Sequence, residues 1–252
     1  MNTETKTDAT PMKLIERLFA AGAHFGFTKS RRHPTVTPFI FGNKQGTDII
    51  DLEKTSALLE TAKAVVFEAG KAGKTVLFVG TKEEVVNVVK EHALRIGMPF
   101  VVNRWIGGML TNFSEIKKRI ARLHELTTQG ENGELERKYT KKERVVIGRE
   151  MDKLTFNFSG IKNIDRNPQL LIVVDPRHDS IATQEATDSH IPVIGITSSD
   201  MNLRAITYPI VANDALQSSV AVILDELVLA YQAGKAEYVA PERKVDNRVR
   251  ER

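Results

Sequence analysis

Hydrophobic residues along the chain follow two patterns, one typical of buried strands and one of amphipathic helices. Thr75–Val79, Leu170–Val174 and Pro192–Ile196 are almost continuously apolar, which indicates strands covered on both faces, as in a parallel sheet flanked by helices. Phe100–Asn103 is predicted as a further strand. Segments with helical spacing separate these strands: Glu53–Ala72, Lys82–Ile96, Ile181–Ser189 and Ala215–Ala233. This alternation predicts an α/β fold with a three-layer, doubly wound parallel sheet.

The chain before this alternation has a different pattern. Apolar residues at helical spacing predict a short helix from Met12 to Ala21. Phe25–Pro38 combines Gly and Pro with basic residues, and this composition predicts a basic surface loop rather than a strand. Two short strands, Phe39–Phe41 and Asp48–Leu52, are predicted around a glycine-containing turn.

A long insertion separates the strand at Phe100–Asn103 from the strand at Leu170–Val174. It contains two apolar seams at spacings of three and four residues, Phe113-Ile116-Ile120-Leu123 and Ile147-Met151-Leu154-Phe158. A polar, glycine-containing stretch lies between them. This pattern predicts an inserted antiparallel coiled-coil helical hairpin. We therefore expect a sheet domain at 12–110 and 159–234 and a hairpin at 111–158.

Composition and charge narrow the class of protein. The chain has 252 residues, a net charge of +4 and no cysteine, which excludes disulfides, thiolate metal sites and cysteine nucleophiles. The mild positive charge favours polyanionic partners. No apolar run reaches the length of a membrane helix. Residues 1–11 are predicted to be a disordered start without a leader and 235–252 a charged, flexible tail, as expected of a cytoplasmic protein.

Three short motifs could carry chemistry, and each has a simpler structural explanation. Gly70–Thr75 ends like a phosphate-binding loop, but it leaves a helix and enters a strand, so Gly73 is predicted in a helix-ending turn. Gly80–Lys82 could bind an anion, or Thr81 could be a helix N-cap. Asp175–Asp179 could form a metal or acid-base cluster, but a strand-to-helix turn is favoured. We predict no catalytic residue, no metal and no cofactor.

The segment Arg104–Phe113 has the sequence RWIGGMLTNF. It resembles the RWLGGMLTNF signature of the universal small-subunit ribosomal protein two family, bacterial type. Gly107 and Gly108 would allow close backbone approach, Trp105 would anchor the segment, and Thr111 or Asn112 could cap the hairpin helix. Further matches follow in the family's order, including His24–Gly26, Pro38–Gly42, Ile49–Thr55, Leu77–Lys82 and Tyr208–Ile210. The family's Asp-Thr-Asn after the fifth strand is Ser198–Asp200 here.

The resemblance implies a flavodoxin-like sheet with an inserted hairpin, bound to small-subunit ribosomal RNA as a non-catalytic structural constituent of the cytoplasmic ribosome. It further implies contacts with neighbouring ribosomal proteins, ribosomal protein one among them, and no homo-oligomer. The hairpin anchors are predicted to be Trp105, Gly107 and Gly108. The cations predicted to contact RNA are Lys29, Arg31, Arg32, Lys44, Lys82, Arg104, Lys117, Lys118, Lys141 and Lys142.

Two other classes remain as alternatives at this point. The first is an enzyme that binds a nucleotide or phosphosugar through Gly80–Lys82 and Asp175. The second is a coiled-coil adaptor that binds protein alone through the hairpin.

Overall fold

A computed structural model describes residues 11–238 of the chain and confirms the predicted parallel α/β sheet. Five parallel strands form the main sheet in the order β5-β4-β6-β7-β8. Numbered within this sheet alone, the order is the flavodoxin-like 2-1-3-4-5. The strands are β4 (Val76–Val79), β5 (Phe100–Val101), β6 (Leu170–Val174), β7 (Val193–Thr197) and β8 (Tyr208–Val211).

Helices cover both faces of this sheet because successive residues of each strand point to opposite sides. On one face Val76 and Phe78 pack in a core with α1 (Pro11–Ala20), α2 (Leu52–Lys71), α3 (Val86–Arg95) and α8 (Gln217–Ala236). On the other face Leu77 and Val79 pack with α7 (Ser180–Asp188) and with side chains of the inserted helices. The chain is therefore three-layered.

Three α-helices lie between β5 and β6 in the chain: α4 (Phe113–Glu131), α5 (Glu134–Lys138) and α6 (Lys141–Phe158). A capping box at Thr140 and Glu143 begins α6. Ile116, Leu126 and Phe158 are buried in the same core cluster as Leu77 and Val79. The apolar side of the insert is thus continuous with the core of the sheet, although its other sides are strongly charged.

A second, three-stranded antiparallel sheet precedes the main one, in the order β1-β3-β2. Its strands are β1 (Phe25–Thr28), β2 (Ile40–Lys44) and β3 (Thr47–Ile50). The prediction of a loop over Phe25–Pro38 is therefore wrong at its start, because Phe25–Thr28 forms a ladder with β3. The glycine in β1 is useful there, because a Cβ at Gly26 would lie 3.1 Å from Ser199 Oγ.

Other boundaries differ in informative ways. Strand β8 was not predicted, because Tyr208-Pro-Ile-Val is short and contains a proline, which suits its place at the edge of the sheet. Helix α3 begins at Val86 rather than Lys82. As predicted, Gly73 lies in the turn after α2, with φ +61°. The predicted disordered start lies outside the described residues except for Pro11, which begins α1. Most of the predicted flexible tail also lies outside them, and α8 itself continues to Ala236.

Candidate nucleic-acid interface

Three exposed cations lie at one end of the small antiparallel sheet. Thr47 of β3 pairs with Thr28 on one side and with Lys44 on the other. Lys29 follows Thr28 directly, and its backbone N–H donates to Gly46 O over 3.0 Å. The register therefore brings Lys29 and Lys44 to the same end of the sheet, and Arg31 follows Lys29 by two residues. We call these three residues the basic cluster.

The loop after β7 fixes the basic cluster to the main sheet. Ser199 Oγ accepts from the backbone N–H of Phe27 over 2.9 Å, and Ser199 O accepts from the N–H of His33 over 2.9 Å. The guanidinium of Arg31 donates to Asp200 over 3.2 Å and lies over the Phe27 ring, 4.2 Å from its centroid. The basic segment is thus held at both its ends by the loop Ser198–Asp200.

Arg32 has a different role from its neighbours. Its Nε donates to Asp48 Oδ2 over 2.6 Å, and its Nη2 donates to the other carboxylate oxygen. This hydrogen bond holds the pKa of the fully buried Asp48 below its usual value and raises the pKa of Arg32. Arg32 neutralises a buried charge inside the protein, and its guanidinium donors Nε and Nη2 are used in that interaction.

Lys82 is also engaged within the protein. Its Nζ lies 3.1 Å from Asp175 Oδ2 and 3.7 Å from Asp214 Oδ1 at the carboxyl ends of the strands. Burial lowers the pKa of Lys82, but the charges of Asp214 and Asp175 outweigh burial and leave the pKa raised. We call these three residues the Lys82 cluster. Asp175 sits there with φ +57°, a left-handed conformation that is uncommon without glycine.

Asp214 is the least satisfied member of the Lys82 cluster. One oxygen accepts from the Ser198 N–H over 3.1 Å, while Oδ1 is buried and has no hydrogen-bond donor. Burial raises its pKa, and the charge of the nearby Asp175 raises it further. The attraction of Lys82 offsets only part of this effect, so the pKa is about 7.

Thr81 does not cap a helix, contrary to the prediction. Its N–H and its hydroxyl donate to the two oxygens of Asp179, over 3.1 and 2.8 Å. Asp179 is buried, and burial raises its pKa despite these two bonds. The pair ties the end of β4 to the start of α7.

The segment Arg104–Phe113 is held by a residue that the sequence analysis missed. Glu185, on α7, is buried, and its carboxylate accepts several hydrogen bonds from this segment. The donors are Trp105 Nε1 at 3.1 Å and the backbone N–H groups of Gly108 at 2.8 Å, Leu110 at 3.0 Å and Thr111 at 3.4 Å, joined by the Thr111 hydroxyl at 3.4 Å. We call this arrangement the Glu185 cradle.

Electrostatics and sequence both explain the Glu185 cradle. Burial alone would raise the pKa of Glu185, but the donors from Leu110, Gly108 and Trp105 together lower it. The carboxylate is therefore ionised and fully used. The signal in the sequence was weak, because Glu185 is flanked by Ala182 and Ala186, and it is the structure that shows both alanines to be buried. It is a charged residue on the apolar face of its helix.

The two adjacent glycines of the segment are not equivalent. Gly108 has φ +88° and donates to Glu185, so its conformation is needed for the cradle. A Cβ at Gly107 would meet nothing within 4 Å, so close approach does not explain this glycine. Asn112 occupies the N-cap position of α4 without making a side-chain capping bond, and Thr111 bonds to Glu185 instead.

The remaining predicted RNA contacts lie at or on the insert. Arg104 is exposed and has no ion pair among residues 11–238. Lys118 pairs with Glu115 over 2.6 Å, and Lys117 Nζ lies 5.5 Å from the centroid of the Phe113 ring. Lys141 and Lys142 are exposed at the start of α6, and no carboxylate of the described chain pairs with either.

The strand order and the long helical insert define a flavodoxin-like α/β protein. Most of the charged side chains at the carboxyl ends of its strands are paired with one another. A sequence model described as ribosomal protein S2 matches residues 18–234, and the chain belongs to this family. Similar proteins, each called small ribosomal subunit protein uS2, come from three bacteria. The Mesoplasma florum protein is 43% identical over 90% of this chain and 85% of its own length.

The other two relatives match this chain to a similar extent. The proteins of Coprothermobacter proteolyticus and Dictyoglomus thermophilum are each 40% identical over 88% of this chain, and over 82% and 90% of their own lengths. These matches confirm the family indicated by Arg104–Phe113, and with it a structural ribosomal protein of the small subunit rather than an enzyme. Within residues 11–238, no helix combines the length and apolar character needed to cross a bilayer.

Proposed function

We propose that this chain is a non-catalytic constituent of the small ribosomal subunit in the cytoplasm and that the basic cluster is its principal contact with ribosomal RNA. The observation that carries the proposal is the register of the small sheet, which brings Lys29 and Lys44 to one end, with Arg31 two residues after Lys29. All three side chains are exposed. Exposed cations at one end of a small sheet can displace counterions from neighbouring phosphates.

Pairing inside the protein separates the predicted contacts into two groups. Arg32 and Lys82 are engaged by buried carboxylates, so their loss would act on folding rather than on RNA binding directly. Arg31 is shared, since it pairs with Asp200 but remains 53% exposed at its side chain. Lys29 and Lys44 have no ion-pair partner in residues 11–238 and are the best candidates for phosphate contacts.

The insert offers a second set of contacts. Lys117, Lys141 and Lys142 are exposed and not ion-paired within the described chain, whereas Lys118 is already paired with Glu115. Neighbouring small-subunit proteins, including ribosomal protein one, remain proposed partners on the strength of the family resemblance.

The enzyme alternative loses its main support in this structure. Its phosphate-binding lysine, Lys82, is held by Asp175 and Asp214 and is only 18% exposed at its side chain. Its other candidate, Thr81, donates both of its polar hydrogens to Asp179. No specific observation favours catalysis here.

The test is association with small subunits at graded salt. The double variant Lys29→Gln, Lys44→Gln should bind subunits depleted of the parent protein more weakly, and the slope of log affinity against log salt should fall by about one for each phosphate that the variant no longer neutralises. The matched control, Lys74→Gln with Lys90→Gln, removes two exposed lysines elsewhere and should follow the parent. Equal slopes for all three proteins would refute the assignment of the basic cluster.

A further inference from the structure

A surface cavity of about 440 Å³ opens at the carboxyl ends of β4 and β5, beside the Glu185 cradle. Its volume lies within the roughly 300–1,000 Å³ of small-molecule sites. The lining includes Asn103, Arg104, Trp105, Phe156 and His178. The strand order changes direction between β4 and β6, so the cavity lies next to the place where sheets of this type usually bind ligands.

The residues that line the cavity include a cation, two exposed apolar side chains and several polar groups. Arg104 offers an exposed guanidinium that no carboxylate of the described chain engages. Phe156 is 57% exposed and Ile181 is 60% exposed, so the lining includes an aromatic and an aliphatic side chain that are open to solvent. Asn103, His178 and Ser180 supply polar groups between them. A ligand that suits this wall has an anionic end and a planar, apolar end.

The one acid in the lining does not contradict an anionic ligand. Asp179 is buried, and each of its carboxylate oxygens accepts a hydrogen bond from Thr81. The main chain at Phe156 is tied to the segment after β5, because Asn103 Nδ2 donates to Phe156 O over 2.6 Å. A contact within the protein therefore fixes where α6 passes the cavity.

We propose that this cavity binds a single unstacked nucleotide, with its phosphate on Arg104 and its base against Phe156. Recognition of this kind, an arginine on the phosphate and an aromatic ring on the base, is how proteins hold single-stranded RNA without strict sequence preference. The inference rests on the proposed function in one respect, since ribosomal RNA is then the natural source of the nucleotide. A free mononucleotide has the same chemistry and is the other source.

The chain contains a built-in reporter for this site. Trp105 is its only tryptophan, is 7% exposed and lines the cavity. Titration of the full-length protein with a single-stranded RNA tetranucleotide should change Trp105 emission saturably. Adenosine monophosphate and inorganic phosphate form the second and third arms. Tighter binding of the tetranucleotide than of the mononucleotide assigns the site to RNA, and equal affinity assigns it to free nucleotides.

Two exposed side chains can be removed without disturbing the core. Arg104→Gln and Phe156→Ala should each weaken the tetranucleotide by about tenfold. The matched controls are Arg166→Gln, in a cavity of similar size at the opposite end of the sheet, and Phe41→Ala, which is 81% exposed. Both controls should titrate like the parent, and thermal unfolding of all variants should be unchanged.

Failure of this proposal can be told apart from failure of the proposed function. If neither the tetranucleotide nor the mononucleotide produces a saturable change, or if the two variants titrate like the parent, the cavity is not a nucleotide site. Association of the parent protein with small subunits would still stand in that case. Loss of that association, with an intact fluorescence titration, would refute the ribosomal function and leave the nucleotide site standing.

Discussion

The Glu185 cradle and the Lys82 cluster each contain a buried carboxylic acid, and the pKa values of the two acids are shifted in opposite directions. Glu185 receives donors from Trp105 and several backbone N–H groups, and its pKa is lowered. Asp214 has one backbone donor and a lysine at 3.7 Å, and its pKa is raised to about 7. Asp214 is the more deeply buried of the two and faces the charge of Asp175, whereas fixed donors at hydrogen-bond distance offset the burial of Glu185.

The two sites therefore serve different purposes. The Glu185 cradle fixes one conformation of the segment that leads from β5 into α4, because every donor in it would be left without an acceptor if the segment moved. The Lys82 cluster joins the ends of β4, β6 and β8 by charges that are only partly satisfied. We expect the first site to be rigid and the second to respond to pH, and the following predictions test this contrast.

Removal of the carboxylate from the Glu185 cradle should have the largest effect. Glu185→Ala leaves Trp105 Nε1 and the N–H groups of Gly108 and Leu110 without an acceptor in a dry site. The free energy of unfolding should fall by about 4 kcal/mol. Urea unfolding followed by Trp105 emission measures it, with the exposed Glu91→Ala as the control. A loss of less than about 1 kcal/mol would mean that the segment has other anchors.

The same site predicts the sign of an acid dependence. The pKa of Glu185 is below its ordinary value of 4.5, so the folded state holds the proton more weakly than the unfolded state. The contribution of the cradle is complete above pH 4.5 and is lost as the pH falls through the lowered pKa. Glu185→Gln should lack this component of acid unfolding, while Glu91→Gln should keep it.

Removal of the lysine from the Lys82 cluster should have the second largest effect on stability. Lys82→Met keeps much of the side-chain volume but leaves Asp175 and Asp214 without their shared counter-charge. We expect a loss of about 3 kcal/mol at about pH 8, above the pKa of about 7 that Asp214 has in the parent protein. The loss should shrink at about pH 5, because Asp214 can then be neutral. Lys90→Met, on the exposed side of α3, is the control, and a loss independent of pH would contradict this account.

The sequence predicted the main sheet well because its strands are buried on both faces, and a continuous apolar run leaves few alternatives. Strand β1 was missed because its partner β3 lies some twenty residues later, and only that long-range ladder overrides the loop-like composition of Phe25–Thr28. Lys82 and Arg32 looked like RNA contacts because a sequence shows which residues are basic but not which carboxylates fold against them. Glu185 was missed because α7 has few large apolar residues, so that only the structure shows which of its faces is buried.

Ionisation of Asp214 should have the third largest effect, and the pH dependence of stability that it causes is opposite in sign to that of Glu185. The pKa of Asp214 is raised from 3.8 to about 7, so the folded state is most stable with this proton bound and loses stability as the pH rises between these values. The loss should amount to about 2 kcal/mol between about pH 5 and pH 7. Asp214→Asn should remove that slope, which urea unfolding at several pH values measures. The exposed Asp152→Asn should retain it, and an unchanged slope in Asp214→Asn would show that another group titrates.

The smallest effect should distinguish the two glycines of the cradle segment. Gly108→Ala forces an alanine to φ +88°, with its Cβ 3.3 Å from that of Asn112, and should cost about 1 kcal/mol. Gly107→Ala has open space around its Cβ and should stay within about 0.5 kcal/mol of the parent. In the background of Glu185→Ala the Gly108→Ala penalty should shrink, because the Gly108 N–H no longer has a fixed acceptor that requires this conformation. A double-mutant cycle by urea unfolding measures this coupling, and strictly additive losses would mean that the turn at Gly108 is imposed by the chain itself rather than by Glu185.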